Sequence, residues 1–176
     1  MSPEDLQRLR AAVRDVPDFP KPGILFKDIT PILSDPAVFR MAIEGFADAT
    51  RNLGADKIVG IDARGFLFGA PVAYALGIGF VPVRKKGKLP YECESAEYVL
   101  EYGSAVVEMH TDALRSGERV VLIDDLLATG GTAAAAIRLV EKMGAVVVEA
   151  QFLIELTFLA GRQNLGDTAA RVFLTY

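Results

Sequence analysis

Short apolar runs alternate along the chain with longer stretches in which apolar residues recur at helical spacing. The short runs predict β-strands at residues 57–61, 78–83, 119–124, 146–154 and 171–176. The helical spacing predicts helices that begin near Ser2, at Pro36, near Phe68 and at Ala133. Strands that alternate with helices predict a single-domain α/β fold: a mainly parallel sheet with helices on both faces and a ligand crevice at the carboxyl ends of the strands.

The N-terminal region is predicted to hold one helix and one irregular arm. Ser2, Pro3 and Asp5 form a helix start signal, and the apolar spacing that follows continues to Val16. Residues 17–31 contain four prolines, which disfavour both a helix and a central strand. An ordered arm of this kind often carries ligand contacts.

A further segment interrupts the alternation of strands and helices. Residues 96–102 and 105–110 are two strand-like runs joined through Gly103, and they predict a β-hairpin. Residues 66–83 carry no charge and reach the length of a membrane span, but glycines and prolines divide them into a short helix, a turn and a strand. We therefore expect no membrane association.

Composition narrows the classes of function. The 176 residues carry a net charge of −4, which lacks the basic surplus of a general nucleic-acid-binding protein. A single cysteine, Cys93, and a single histidine, His110, cannot build an intrachain disulfide or a Cys/His zinc site. Residues 1–10 have no apolar core of a signal peptide, so we expect a cytoplasmic protein.

The most informative stretch is residues 120–132. Four apolar residues of a predicted buried strand lead into Asp124 and Asp125, and a Gly-Gly turn then opens a helix. Backbone N–H groups and the positive helix end at such a turn can surround a phosphate monoester. The two acids would repel a phosphate unless they bind another part of the ligand, such as sugar hydroxyls. A ribose 5-phosphate satisfies both requirements, whereas the alternative is a strand end with two solvated acids.

Nucleotide-binding loops of other classes are absent from the sequence. No GxxxxGK[ST] pattern occurs, and no GxGxxG follows a predicted strand, so a P-loop nucleoside triphosphatase and a dinucleotide dehydrogenase are both disfavoured. Residues 120–132 instead resemble the 5-phosphoribosyl 1-pyrophosphate signature of the type I phosphoribosyltransferases. Residues 18–31, 60–66, 84–90 and 97–103 resemble segments of the branch of that family that acts on adenine.

The resemblance implies a type I phosphoribosyltransferase fold with a hairpin that forms a mobile loop and residues 1–31 as N-terminal helix and base-covering arm. It implies roles for individual residues across this fold. The substrate-binding positions that it implies are Leu25, Phe26, Lys27, Asp62, Ala63, Arg64, Arg84, Lys85, Lys88, Asp124, Asp125, Ala128, Thr129, Gly130, Gly131 and Thr132.

Within that set the implied roles differ. Phe26 stacks on the purine while the backbone of its neighbours reads the ring edge. Asp62, Ala63 and Arg64 form a pyrophosphate loop, in which the Asp62–Ala63 bond is a candidate for the cis form, and the basic run from Arg84 also contacts pyrophosphate. Glu101 is implied as the catalytic acid residue, and Arg64 is implied as a second catalytic residue. From the residues alone, Phe26 also suits a core position, the basic run a solvated loop and Glu101 an exposed strand carboxylate.

The implied reaction transfers ribose 5-phosphate from 5-phosphoribosyl 1-pyrophosphate to N9 of adenine, giving AMP and pyrophosphate in purine salvage. Mg²⁺ is the implied cofactor, held by Asp124 and Asp125 mainly indirectly through ribose, pyrophosphate and water. The resemblance also implies a homodimer. One alternative is a 6-oxopurine phosphoribosyltransferase. The other is a non-catalytic phosphoribosyl-binding regulator, and the short segment before the arm disfavours only this second alternative.

Overall fold

The computed structural model describes residues 1–99 and 104–176. The helices are α1 (Pro3–Ala11), α2 (Thr30–Ser34), α3 (Pro36–Thr50), α4 (Arg64–Leu76) and α5 (Gly131–Lys142). The strands are β1 (Arg14–Pro17), β2 (Leu25–Asp28), β3 (Lys57–Ile61), β4 (Gly79–Lys85), β5 (Cys93–Val99), β6 (Ser104–His110), β7 (Arg119–Leu127), β8 (Val146–Glu155) and β9 (Ala170–Thr175). Two short 3₁₀ helices, Thr157–Leu159 and Gly161–Leu165, lie between β8 and β9.

A seven-stranded sheet in the order β5-β6-β4-β3-β7-β8-β9 forms the centre of the molecule. The strands β4, β3, β7, β8 and β9 are parallel to their neighbours in this run, and the β5–β6 hairpin adds antiparallel strands at one edge. The predicted mainly parallel sheet is therefore confirmed. The hairpin is confirmed as well, although its connection through Gly103 lies outside the described residues.

Helices cover both faces of the sheet, as predicted. Along β7, Val120 and Leu122 belong to the core shared with α5, whereas Val121 and Ile123 belong to the core shared with α1 to α4. All four side chains are fully buried. Because successive residues of a strand point to opposite faces, this continuous apolar run supplies both cores at once.

The N-terminal helix begins as predicted but ends earlier. Ser2 and Asp5 form the capping box, with the Ser2 side chain accepting from the Asp5 N–H and the Asp5 carboxylate accepting from the Ser2 N–H. The prediction that helical spacing continues to Val16 is wrong, because Val16 lies in β1 and pairs with Phe26 in β2. A residue before proline disfavours the helical region, which explains why the chain turns extended ahead of Pro17.

The arm at residues 17–31 is more regular than predicted. It contains β2, which pairs with β1 as a separate two-stranded sheet, and the start of α2.

Two further element boundaries differ from the prediction. Strand β7 continues to Leu127 because it pairs with β8 beyond the two acids, and α4 begins at Arg64. In the described ranges, no helix is long and apolar enough to cross a bilayer.

Candidate active site

The predicted site residues converge at one edge of the sheet. The parallel strands β4, β3 and β7 lie side by side, so their carboxyl ends open on the same side. Asp62 follows β3, Arg84 lies near the end of β4, and the two acids lie near the end of β7. The polar residues predicted from separate segments are thus brought to a shared crevice, as is usual for parallel α/β sheets.

Asp124 and Asp125 form the centre of this edge. The Asp125 side chain is about 5% exposed, and its Oδ2 lies 3.0 Å from Nε of Arg64 at the start of α4. The Asp125 backbone N–H donates to Oδ1 of Asp124 at 2.9 Å. The pair is therefore held by an arginine and by its own backbone, with the Arg64 side chain itself partly exposed to the crevice.

The electrostatics of the acid pair favour a cationic or hydrogen-bonding partner. Burial raises the pKa of Asp124 well above its ordinary value, and the adjacent Asp125 carboxylate raises it further. Burial also raises the pKa of Asp125, and the Arg64 guanidinium opposes that rise. A ligand that offers hydroxyl donors and positive charge would lower both pKa values and favour the ionised forms.

Gly65 allows α4 to start directly against the end of β7. A Cβ built on Gly65 would lie 2.6 Å from the Ile123 carbonyl oxygen and 3.0 Å from Oδ1 of Asp124. Any larger residue would push the helix and Arg64 away from the acid pair. The sequence analysis included Gly65 in the resemblance at residues 60–66 but gave it no role. The sequence signal for this close approach is a glycine directly after Arg64.

Residues 128–132, named here the phosphate turn, connect β7 to α5. Gly130 has a φ of +79° and precedes the first residue of α5. This left-handed conformation favours glycine and turns the backbone sharply. The turn lines a small cavity of about 70 Å³ together with Asp124. Backbone N–H groups at the start of a helix attract anions, which agrees with the phosphate site predicted at this turn.

The predicted pyrophosphate loop follows β3, the strand next to β7 in the sheet. The Asp62–Ala63 peptide bond is cis, as the resemblance suggested. The Asp62 carboxylate lies 3.2 Å from Nε of Arg84, and Arg84 also donates to the Lys88 carbonyl at 3.1 Å. The basic run is therefore anchored at Arg84, and its three lysines, Lys85, Lys86 and Lys88, are exposed.

The arm brings Phe26 over the same arginine that holds Asp125. The Arg64 Cζ atom lies 5.5 Å from the centre of the Phe26 ring, within the range of a cation–π contact. Phe19 packs edge-on against Phe26 at 5.1 Å between ring centres. Arg64 thus joins the predicted base site to the predicted ribose site.

The side chain of Lys27 is engaged within the protein. Its Nζ lies 2.6 Å from Oδ1 of Asp15 and 4.0 Å from the centre of the Tyr176 ring. The neighbouring Leu25 side chain is half exposed. The ammonium group of Lys27 is therefore already engaged by Asp15 and Tyr176. Sequence reasoning missed Tyr176, and no local pattern links it to the arm.

The predicted catalytic residue Glu101 lies outside the described residues. The strands on either side of it are described, and Ser104 donates to the Glu97 carboxylate across the hairpin. On the neighbouring helix, Arg138 of α5 donates to the Glu97 carbonyl at 2.7 Å. At Glu97 the hairpin is therefore fastened to the helix that follows the phosphate turn.

The sequence matches a protein-family model over most of its length. Residues 29–165 match the phosphoribosyl transferase domain family. The match covers the acid pair, the phosphate turn, the Asp62 loop and the basic run. The chain therefore belongs to the phosphoribosyltransferase family.

Relatives across nearly the whole chain narrow the assignment to the adenine phosphoribosyltransferases. The adenine phosphoribosyltransferase of Solibacter usitatus is 58% identical over 168 residues, covering 96% of this chain and 97% of the relative. The crystal structure of the Thermoanaerobacter pseudethanolicus enzyme has a TM-score of 0.95 at 52% identity, covering 97% of this chain and 99% of that one. The Saccharomyces cerevisiae enzyme, complexed with an imino-altritol bisphosphate and adenine, has a TM-score of 0.92 at 45% identity, covering 97% and 98%.

The acid pair predicts a pH-dependent effect on stability. A carboxyl whose pKa rises on folding binds its proton more tightly in the folded state, so it lowers the free energy of unfolding as pH rises above the unfolded pKa of about 3.9. We expect Asp124→Asn to raise the melting temperature of the ligand-free protein near neutral pH. The gain should shrink towards zero below about pH 4, where wild-type Asp124 is protonated.

Thermal unfolding of both proteins across this pH range measures the effect. Asp167→Asn, at an exposed carboxylate, serves as the matched control and should show no such trend. A melting temperature lowered equally at every pH would contradict this account of the acid pair.

Proposed function

We propose that the protein transfers the 5-phosphoribosyl group of 5-phosphoribosyl 1-pyrophosphate to N9 of adenine, forming AMP and releasing pyrophosphate in purine salvage. The observation that carries the proposal is the position of Arg64, which contacts both Asp125 and the Phe26 ring. A base stacked on Phe26 and a ribose held by the acid pair would be neighbours, as formation of the bond between them requires.

The donor is divided among three parts of the crevice. The phosphate turn binds the 5-phosphate through the backbone of Ala128, Thr129, Gly130, Gly131 and Thr132 and through the threonine hydroxyls. Asp124 and Asp125 accept hydrogen bonds from the ribose hydroxyls. The leaving pyrophosphate is bound by the Asp62–Ala63 loop with Arg64, and by Arg84, Lys85 and Lys88. The exposed ammonium groups of this run suit an anion that arrives and leaves.

The acid pair also has a chemical role. Loss of pyrophosphate leaves positive charge on the ribose, and two carboxylates held beneath the sugar stabilise that charge as it develops. Burial raises the pKa of both groups, so ribose hydroxyls and the positive charge that develops on the sugar favour their charged forms. Arg64, whose Nε lies 3.0 Å from Asp125, opposes the rise in the pKa of that carboxyl.

Mg²⁺ is the proposed cofactor. Within the described part of the chain, no cluster of three or more acidic, histidine or cysteine side chains could hold a metal by itself. Asp124 and Asp125 supply two carboxylates, and Mg²⁺ is typically bound through one or two carboxylates plus substrate phosphates and waters. These residues therefore fit a Mg²⁺ held mainly through the substrate. When bound, it would offset the charge of the departing pyrophosphate.

Glu101 is proposed as the residue that handles the adenine proton. Adenine must lose its N9 proton or react as a suitable tautomer, and a carboxylate near the ring can accept a proton or stabilise that form. The support is the family resemblance of residues 97–103 together with the fastening of Glu97 to α5. The mobile loop that the resemblance implies would then close over a donor that water could otherwise hydrolyse.

Adenine is favoured over the 6-oxopurines. The relatives and solved structures named above are adenine phosphoribosyltransferases, and the yeast structure contains adenine. In the sequence, the support is the resemblance of residues 18–31, which implies that the backbone on either side of Phe26 reads the ring edge. Backbone donors and acceptors can distinguish an amino group from an oxo group.

We also propose a cytoplasmic homodimer. The exposed side of α4 carries Leu67, Ala70 and Tyr74 at helical spacing, and the Tyr74 side chain is 89% exposed. An apolar stripe on the helix that carries Arg64 suits a second copy of this chain. The free Cys93 and the low cysteine content are typical of a reducing compartment.

A panel of bases tests the proposed function. Adenine, hypoxanthine, guanine, xanthine and orotate are each offered with 5-phosphoribosyl 1-pyrophosphate and Mg²⁺, and nucleotide formation is measured in a single turnover. We expect AMP from adenine and little product from the other bases, with the reaction abolished by complete chelation of divalent metal. Preferred turnover of a 6-oxopurine would overturn the proposal, and undiminished activity without metal would remove Mg²⁺ from it.

The Phe26→Ala variant tests the base site. Loss of one aromatic stacking partner is expected to weaken adenine binding by about 1–3 kcal/mol while leaving ribose 5-phosphate binding unchanged. Calorimetric titration with each ligand measures both affinities, and Phe26→Tyr should restore adenine binding. If the phosphate ligand is the one that loses affinity, Phe26 serves the donor side or the core.

The Glu101→Gln variant tests the proposed proton chemistry. Glutamine cannot accept the proton, so we expect slow AMP formation in a rapid-quench experiment and normal donor binding by calorimetry. Glu94→Gln, on the same hairpin and paired with Lys142 at the surface, is the matched control. A wild-type chemical rate in Glu101→Gln would assign Glu101 to an ordinary hairpin position.

A further inference from the structure

The phosphate turn rests on a segment that neither the sequence motif nor the proposed mechanism includes. This segment is the 3₁₀ helix Gly161–Leu165, named here the supporting segment. A Cβ built on Gly161 would lie 2.2 Å from the Ala128 carbonyl oxygen, and one built on Gly130 would lie 2.2 Å from the Gly161 carbonyl oxygen. The two segments therefore approach each other through glycines, which leaves no room for a side chain between them.

One side chain of the supporting segment holds the turn directly. The Asn164 Nδ2 group donates to the Thr129 carbonyl oxygen at 2.7 Å. In a planar trans peptide the C=O and the following N–H point in opposite directions, so this bond also directs the Gly130 N–H away from Asn164. Gly130 lines the cavity of the phosphate turn, where such N–H groups would face an anion.

The supporting segment is itself tied to the sheet. Glu155, at the end of β8, is about 5% exposed, and its two carboxylate oxygens lie 2.9 Å and 3.0 Å from Nε of Arg162. Arg162 also donates through Nη1 to the Ala170 carbonyl at 2.9 Å. Asn164 therefore projects from a braced support, which allows it to orient the turn rather than merely follow it.

We infer that Asn164 is a positioning residue that sets the phosphate turn for the 5-phosphate of the donor. The inference rests on the proposed function and extends it to a residue outside the signature. The inference assigns Asn164 an effect on phosphate-bearing ligands alone, because Asn164 contacts Thr129 and not the arm at residues 17–31.

The Asn164→Leu variant tests this role, because leucine keeps a similar volume and lacks the donor. A neutral hydrogen bond is worth about 1 kcal/mol, so we expect the KM for 5-phosphoribosyl 1-pyrophosphate and the Kd for ribose 5-phosphate to rise about threefold to tenfold. The KM for adenine should stay at the wild-type value. Gln163→Leu, at the exposed neighbouring position, is the matched control and should leave all three constants unchanged.

Two further measurements keep the outcome decisive. Asn164→Asp keeps the shape but places a carboxylate against the Thr129 carbonyl, so we expect a larger loss of phosphate affinity than in Asn164→Leu; the aspartate variant replaces the leucine variant if the latter does not fold. Unchanged donor constants, or an equal rise for adenine and donor, would overturn the role of Asn164. A wild-type protein that makes no AMP would instead refute the proposed function, so the two failures are distinguishable.

Discussion

Two adjacent carboxylates near the end of a buried strand must be compensated, and the arrangement of the crevice follows from that requirement. Burial alone would drive Asp124 and Asp125 towards their neutral forms. The protein answers with Arg64 at the start of α4, and Gly65 lets that helix approach the strand closely enough for the ion pair. The same guanidinium also contacts the Phe26 ring, so the residue that compensates the acids is also a contact of the arm at residues 17–31.

Much of this fold could be predicted from the sequence because its central strands are apolar without interruption. A run such as residues 120–123 can satisfy two cores at once, and few other structures accommodate it. The error at Val16 has the opposite cause. Its helical spacing was a local signal, but Pro17 and pairing with the arm favour the extended form. Local periodicity is dependable where burial supports it and weak at the margins of a helix.

The parts of the site that the sequence did not reveal are contacts between distant segments. The phosphate turn was recognisable from its own residues, whereas its contact with Gly161 depends on how the chain returns after β8. The cation–π contact of Lys27 with Tyr176 likewise joins residues from opposite ends of the printed sequence. A glycine or tyrosine in isolation has many roles, and only tertiary structure selects among them.

The segment that follows β8 links these separate contacts. Near its beginning, Arg162 and Asn164 support the phosphate turn, and further along Tyr176 packs on Lys27 of the base arm. The Tyr176 N–H donates to the carbonyl of Glu155, whose carboxylate binds Arg162. The contact between Tyr176 and Lys27 is therefore anchored at the same end of β8 as Arg162. Glycosyl transfer needs base and sugar placed within about an ångström of a reactive geometry. Fastening both supports to one strand end ties the proposed phosphate and base sites to a shared reference.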